Sequence, residues 1–193
     1  MRTLVLASTS PYRLQLLRQL GLPFQVAAPL FEEQIDQDID PKLLVKHLAS
    51  HKAKSLAERY PDALIIGSDQ VFVDGRDRVL GKPGSVEAAC LQLREMSGRS
   101  HAFYTGLALF DSQSGQMQTE VATYSVTLRK LNAEQIARYV KRENPVDCAG
   151  SFKIEGLGIA LMERMEGEDY TALIGLPLIK LTTMLARCGV AVL

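Results

Sequence analysis

The chain has 193 residues, 47% of them hydrophobic and 23% charged, with 22 Lys plus Arg set against 22 Asp plus Glu. A formal charge of zero gives no global attraction to a nucleic-acid polymer or an anionic membrane, so neither is expected as a partner, although a local basic pocket is compatible with it. Length and composition fit one soluble globular domain over residues 1–193 with a substantial core. Cys90, Cys148 and Cys188 are isolated and form no Cys-x-x-Cys pair, so neither a disulfide framework nor structural zinc is expected, and a reducing cytoplasm suits them.

Thr3 to Ala7 reads as a buried strand, too short an apolar run for a signal peptide or a membrane span. Ser10 then suits an N-cap and Pro11 the first turn of a helix through Leu14, Leu17 and Leu20, stopped by Gly21. Asp40-Pro41 opens a second helix with Leu44, Leu48, Ala49, Ala53, Leu56 and Ala57 as its apolar stripe. Ala63 to Gly67 and Val71 to Val73 are strand-like, with a break expected at the polar Ser68-Asp69-Gln70. Ser85 caps a helix that ends at Ser97-Gly98. Phe103 to Phe110 and Gln118 to Leu128 read as a hairpin around 112–115. Asn132 and Gln135 have capping-box spacing for a helix to Lys141, and a last helix starts near Pro177. Crossovers mixed with a hairpin predict an α/β fold, a single body with a mixed sheet flanked by helices and an active-site cleft.

Several residues on these elements carry chemistry. The turn Ser8-Thr9-Ser10-Pro11-Tyr12-Arg13 joins a strand to a helix, where free amides and the positive helix end favour an anion. Hydroxyls on Ser8 and Ser10 can add donors, and Arg13 offers a planar fork for phosphate. A plain capped helix is the alternative. Asp69 follows an apolar strand at a carboxyl end, where open α/β sheets collect ligands, with a turn carboxylate as the competing reading. Lys82, in Gly81-Lys82-Pro83, sits on a stiff loop from which it can meet a phosphate, with a solvated loop lysine as the competing reading. Lys52 lies at the edge of the apolar stripe, so its stem can rest on the core while its ammonium reaches a cleft, or simply snorkels to solvent without function. Glu32 and Glu33 sit in an acidic stretch with Asp36, Asp38 and Asp40 that reads either as a solvated loop or as a source of Mg²⁺-binding carboxylates. His47 and His51 are one helical turn apart but lack the glutamate of a zinc-protease motif and look surface-facing. No Walker, dinucleotide-binding or nucleophile-elbow motif is present.

In combination and order, these segments resemble the Maf-like family of nucleotide pyrophosphatases. The resemblance runs from Leu6–Arg13 through Glu33, Lys52-Ala53, Ser68-Asp69-Gln70 and Gly81-Lys82-Pro83. It continues through Ser97-Gly98, Tyr104-Thr105-Gly106, Ala149–Phe152 and Gly175-Leu176-Pro177, covering nearly the whole chain. Ser68–Val71 and Gly150–Gly156 look most like the 7-methyl-GTP branch, while Tyr12 stands where tryptophan is expected in close relatives. The resemblance implies hydrolysis between the α and β phosphates of a nucleoside triphosphate with a divalent cation, Mg²⁺ or Mn²⁺.

It also implies roles. Asp69 would be the proton acceptor, or else a metal ligand beside Glu33. Ser8, Arg13, Lys52 and Lys82 would bind phosphates, and Tyr12, Gln70 and Glu155 would face the base. Two other readings stay open: a pyrophosphatase clearing other modified nucleotides, and a nucleotide-binding regulator of septum formation without turnover. A homodimer is the default assembly.

Overall fold

The computed structural model describes residues 2–31 and 39–193. β1 (Thr3–Ala7) runs into α1 (Pro11–Arg18), whose N-cap Ser10 accepts a hydrogen bond from the Arg13 amide. β2 (Gln25–Ala27) lies parallel to β1, and α2 (Pro41–Lys54) is capped by Asp40. β3 (Ala63–Val73) pairs parallel with β1, with Ala7 opposite Gly67, and antiparallel with β4 (Val79–Leu80). Then come α3 (Val86–Met96), β5 (Ser100–Asp111), β6 (Met117–Leu128) and α4 (Ala133–Glu143). Two 3-10 turns, Ala149–Ser151 and Leu157–Leu161, precede β7 (Met162–Gly167), α5 (Tyr170–Ile174) and α6 (Leu178–Arg187). The strands form one mixed sheet in the order β2-β1-β3-β5-β6-β7, with β4 on β3.

The chain divides into two units. The first comprises Met1–Gln70, Tyr104–Thr123 and Asp169–Leu193. Strand alternation splits its core between the two faces of the sheet. Leu4, Leu6, Leu64 and Ile66 pack with Leu16 and Leu17 of α1 and Leu181 and Leu185 of α6. Val5, Ala7 and Ile65 pack on the other face with Ala49, Ala53 and Leu56 of α2 and the residues after it. α2 lies very close to the sheet: a Cβ on Gly67 would stand 2.1 Å from the Ala49 carbonyl oxygen, and one on Gly106 2.1 Å from that of Val45. Glycine is the residue that lets the helix approach this far.

The second unit, Val71–Phe103 and Tyr124–Glu168, is built around an aromatic cluster. Phe72 and Phe103 have ring centroids 4.7 Å apart, and Phe152 meets both edge-on. α4 carries the expected capping box, with Asn132 and Gln135 bonded reciprocally.

The expected break at Ser68-Asp69-Gln70 is absent, because β3 is continuous through it. Each polar side chain finds a partner inside the fold, so polarity alone does not end the strand. β2, β4, β7 and α5 carry too little pattern to have been anticipated.

Candidate active site

Asp69 is therefore a strand residue, neither a turn carboxylate nor the residue after a strand. Its parallel neighbour β1 reaches only to Ala7, opposite Gly67, so Asp69 lies just beyond the carboxyl end of the parallel pair, in keeping with where such sheets collect ligands. Lys52, on the face of α2 turned to the sheet, is 5% exposed, and its ammonium pairs with Oδ1 of Asp69, itself 7% exposed. Among the described residues, Oδ2 of Asp69 has no hydrogen-bond partner. The lysine does more than lay its stem on the core, since the ammonium is buried as well.

The residues flanking Asp69 are fastened to β5, to α5 and to the glycine that closes α5. Ser68 Oγ lies within hydrogen-bond reach of the carbonyl oxygens of Gly106 (2.8 Å) and Gly175 (2.9 Å). Arg13 Nε donates to the same Gly175 oxygen at 2.9 Å, so the guanidinium and the strand residue preceding Asp69 share one acceptor. Gly175 closes α5 with φ 123°, a conformation other residues rarely adopt, and this turns its carbonyl to the hub. Gln70 Nε2 lies near three acceptors: Thr105 Oγ1 at 2.9 Å and the Ala172 and Leu173 carbonyls at 2.7 and 3.1 Å. Those contacts fix the amide orientation and leave the Gln70 carbonyl oxygen as the group it can offer to a ligand. Spacing along the chain gave Ser68, Thr105 and Gly175 no role, because their partners are distant in sequence and most of the acceptors are backbone.

At the turn after β1, Ser8 is buried and its Oγ accepts from the Ser10 amide at 3.1 Å, while Ser10 Oγ accepts from the Arg13 amide at 3.4 Å. These hydroxyls thus shape the turn first, and each retains a proton to donate. Tyr12 is half-buried beside Arg13. Ser8, Tyr12, Arg13, Lys52, Asp69 and Gln70 all belong to the first unit. Lys82, exposed on the loop after β4, and Glu155, exposed between the two 3-10 turns, belong to the second. Glu33, with Glu32, Asp36 and Asp38, lies outside the described residues.

Among the described residues, no group of three or more His, Cys, Asp or Glu is arranged to hold a metal ion. A Mg²⁺ ion needs only one or two protein carboxylates when substrate phosphates complete its shell. The hard Oδ2 of Asp69, without a hydrogen-bond partner among the described residues, suits that role. His47 and His51 are exposed as expected, with ring centroids 4.1 Å apart, and Phe31 stacks on His51. Desolvation, then the charges of His47 and Lys54, lower the His51 pKa.

The model of the family described as Maf-like protein matches residues 3–188. A 7-methyl-GTP pyrophosphatase of Syntrophotalea carbinolica is 67% identical over 193 residues, covering 100% of this chain and 98% of that one. Proteins of the same description from Pseudomonas putida and Nitrosococcus oceani are 53% and 49% identical, over 100% and 99% of this chain and 100% and 96% of theirs. The solved Ham1 protein of Staphylococcus aureus aligns at a TM-score of 0.49 with 15% identity, over 81% of this chain and 89% of that one. The fold is read from the strand order itself.

Proposed function

The chain belongs to the Maf-like family, and from that premise we propose that it is a nucleoside triphosphate pyrophosphatase acting on 7-methyl-GTP, releasing the nucleoside monophosphate and pyrophosphate. The observation that carries the proposal is the buried Asp69 carboxylate. It is paired with Lys52 on one oxygen and, among the described residues, unpartnered on the other, next to a strand residue that shares an acceptor with Arg13.

In this reading a water oxygen attacks the α-phosphorus, its proton passes to Oδ2 of Asp69, and the bond from the α-phosphorus to the bridging oxygen breaks to release pyrophosphate. Lys52 holds Asp69 in position through Oδ1 and adds positive charge to the site. Arg13, steadied by the Gly175 carbonyl, and Ser8, Lys52 and Lys82 bind phosphate oxygens, where fixed positive charge stabilises the transition state. A divalent cation, held by Glu33 and the substrate phosphates, would neutralise phosphate charge and help align the chain. Because Oδ1 is taken by Lys52, Oδ2 can accept the proton or bind the cation but not both at once, and we assign it the proton.

The base reading follows from donor and acceptor types. Gln70 can offer its carbonyl oxygen and Glu155 its carboxylate, both acceptors, matching the N1 and 2-amino hydrogens of guanine. Tyr12 offers a ring face, and the positive charge of 7-methylguanine adds a cation–π contribution to stacking. One domain over 1–193, a cytoplasmic setting and a homodimer complete the reading. Among the described residues no helix is long and apolar enough to cross a membrane.

The test is a panel of nucleoside triphosphates, including 7-methyl-GTP and GTP, with Mg²⁺ or Mn²⁺, quantifying pyrophosphate and monophosphate. Fastest release from 7-methyl-GTP, lost in Asp69→Ala, is expected. Faster release from another nucleotide would keep the reaction and discard the base reading. Tight binding with no turnover of any nucleotide would leave the septum-regulator reading in its place.

A further inference from the structure

Glu155 is exposed, and loops at surfaces ordinarily move. The segment carrying it is nevertheless tied on both sides to the C-terminal turn of α4. Before it, the Lys153 amide donates to the hydroxyl of the buried Tyr139 at 2.9 Å. The Lys153 ammonium donates to the carbonyls of Glu143 (3.1 Å) and Asn144 (3.4 Å) and stands 3.7 Å from Asp147 Oδ1. After it, the Leu157 amide donates to Glu143 Oε1 at 3.0 Å. Gly156 lies against the same carboxylate, for a Cβ there would come within 2.7 Å of Oε2. Within the loop, the Gly156 and Gly158 amides both donate to the Lys153 carbonyl.

The helix end is suited to this task. Asn144 adopts the left-handed conformation (φ 43°) that closes α4. The last carbonyls of a helix attract a cation, and Lys153 supplies it. Lys153 is thereby turned onto the helix end, and among the described residues Glu155 makes no ion pair. The loop thus presents an uncompensated carboxylate from a two-point mount.

We propose that Tyr139 and Glu143 are positioning residues for base selection: they clamp the 153–157 loop to α4 and so fix the place of the Glu155 carboxylate against a positively charged purine. Neither touches the reacting atoms, and both act through Glu155. The inference rests on the reading of Glu155 as a base contact.

The test measures kcat and KM of the full chain for 7-methyl-GTP and GTP, with a thermal melt of each variant. Glu155→Ala comes first. A collapsed preference for 7-methyl-GTP keeps the base reading; an unchanged preference removes that reading and the proposal with it. Given the collapse, Tyr139→Phe and Glu143→Ala are expected to raise KM for 7-methyl-GTP about five- to ten-fold, the scale of one lost hydrogen bond, and KM for GTP by less, since GTP shares the hydrogen bonds but lacks the positive charge on the base, with kcat unchanged. Glu143→Gln keeps an oxygen for the Leu157 amide and is expected to restore the preference. Equal losses for both nucleotides would overturn the proposal, as would a Glu143→Gln variant as impaired as Glu143→Ala. Where Tyr139→Phe does not fold, the two Glu143 variants decide the matter.

Discussion

Asp69 and Asp74 stand close together along the chain, one within β3 and one just past its end. They are 7% and 6% exposed, and each faces a cation. Their surroundings differ in how many acceptor positions are used. Asp74 takes the Arg76 and Arg78 amides on Oδ1 at 2.9 and 3.0 Å, and Nε and Nη2 of Arg78 on Oδ2 at 2.9 and 2.6 Å. Burial pushes its pKa up, but the bonds from the Arg78 side chain and the two amides outweigh burial and leave it below the ordinary carboxylate value. Asp69 has Lys52 on one oxygen and, among the described residues, nothing on the other. A carboxylate saturated by its own turn is a fastener, whereas one left half-satisfied in a buried setting has capacity for a proton, a cation or a substrate. Saturation, more than burial or pairing, separates the two.

The sharpest way to break this contrast is to neutralise each carboxylate with little change of shape. Asp69→Asn is expected to lower kcat by about 10²–10⁴-fold, the usual worth of a positioned general base, and also to lower the melting temperature, because the buried Lys52 ammonium loses its counter-charge. Asp74→Asn is expected to leave kcat within about two-fold, since it lies outside the proposed chemistry, and to lower the melting temperature through the weakened turn. Steady-state kinetics and thermal melts on both variants check this. Full activity in Asp69→Asn, or an inactive but stably folded Asp74→Asn, would reverse the assignment.

The next effect concerns the cation. Removing Lys52 leaves Asp69 buried and unpaired, which costs about 3–5 kcal/mol when a buried pair is broken from one side. Lys52→Met is therefore expected to lower the urea midpoint strongly at neutral pH. The double variant Lys52→Met/Asp69→Leu should recover most of the stability and remain inactive, because a well-packed apolar pair can replace a buried ion pair. Arg78→Met serves as the contrasting probe. Its guanidinium is 44% exposed and Asp74 keeps its two backbone amides, so a much smaller loss is expected. Equal losses at the two sites would show that burial of the lysine is not what distinguishes them.

The helices around this site were legible in the sequence, and the illegible part has a physical cause. The β1–α1 turn, the apolar stripe of α2 and the capping box of α4 are local patterns, and each formed as its residues dictate. The continuity of β3 through Ser68-Asp69-Gln70 was not legible, because the partners that satisfy those side chains come from α2, β5 and the α5 region, remote along the chain. For the same reason Asp69 suggested a turn. The hub at Gly175 hides further, since its functional atom is a main-chain oxygen that any residue type possesses. Only its left-handed φ marks the glycine, and that is a property of the fold rather than of the letter.

The smallest expected effect probes the Asp74 side once more, through its neighbour. Gly75 follows Asp74, and its amide donates to Nδ1 of His101 at 3.0 Å, which assigns the ring proton to Nε2, 2.9 Å from the Met96 carbonyl oxygen. Desolvation is the main cause of a lowered His101 pKa; the Met96 carbonyl and Asp74 oppose it, and Arg99 adds to it. A depressed pKa means the fold binds the neutral ring, so His101 contributes its full stability above the unfolded value near 6.5. Below that pH the unfolded chain takes up a proton that the folded chain refuses, and the contribution is lost as pH falls toward the folded pKa. The urea midpoint is thus expected to drop between about pH 7.5 and 5.5, above the range where carboxylates titrate. His101→Gln can accept from Gly75 and donate to Met96 without titrating, and should flatten that slope. If the slope survives in His101→Gln, the acid sensitivity lies elsewhere. If it vanishes, the turn that saturates Asp74 depends on a neutral imidazole, and its stability carries a pH dependence of its own.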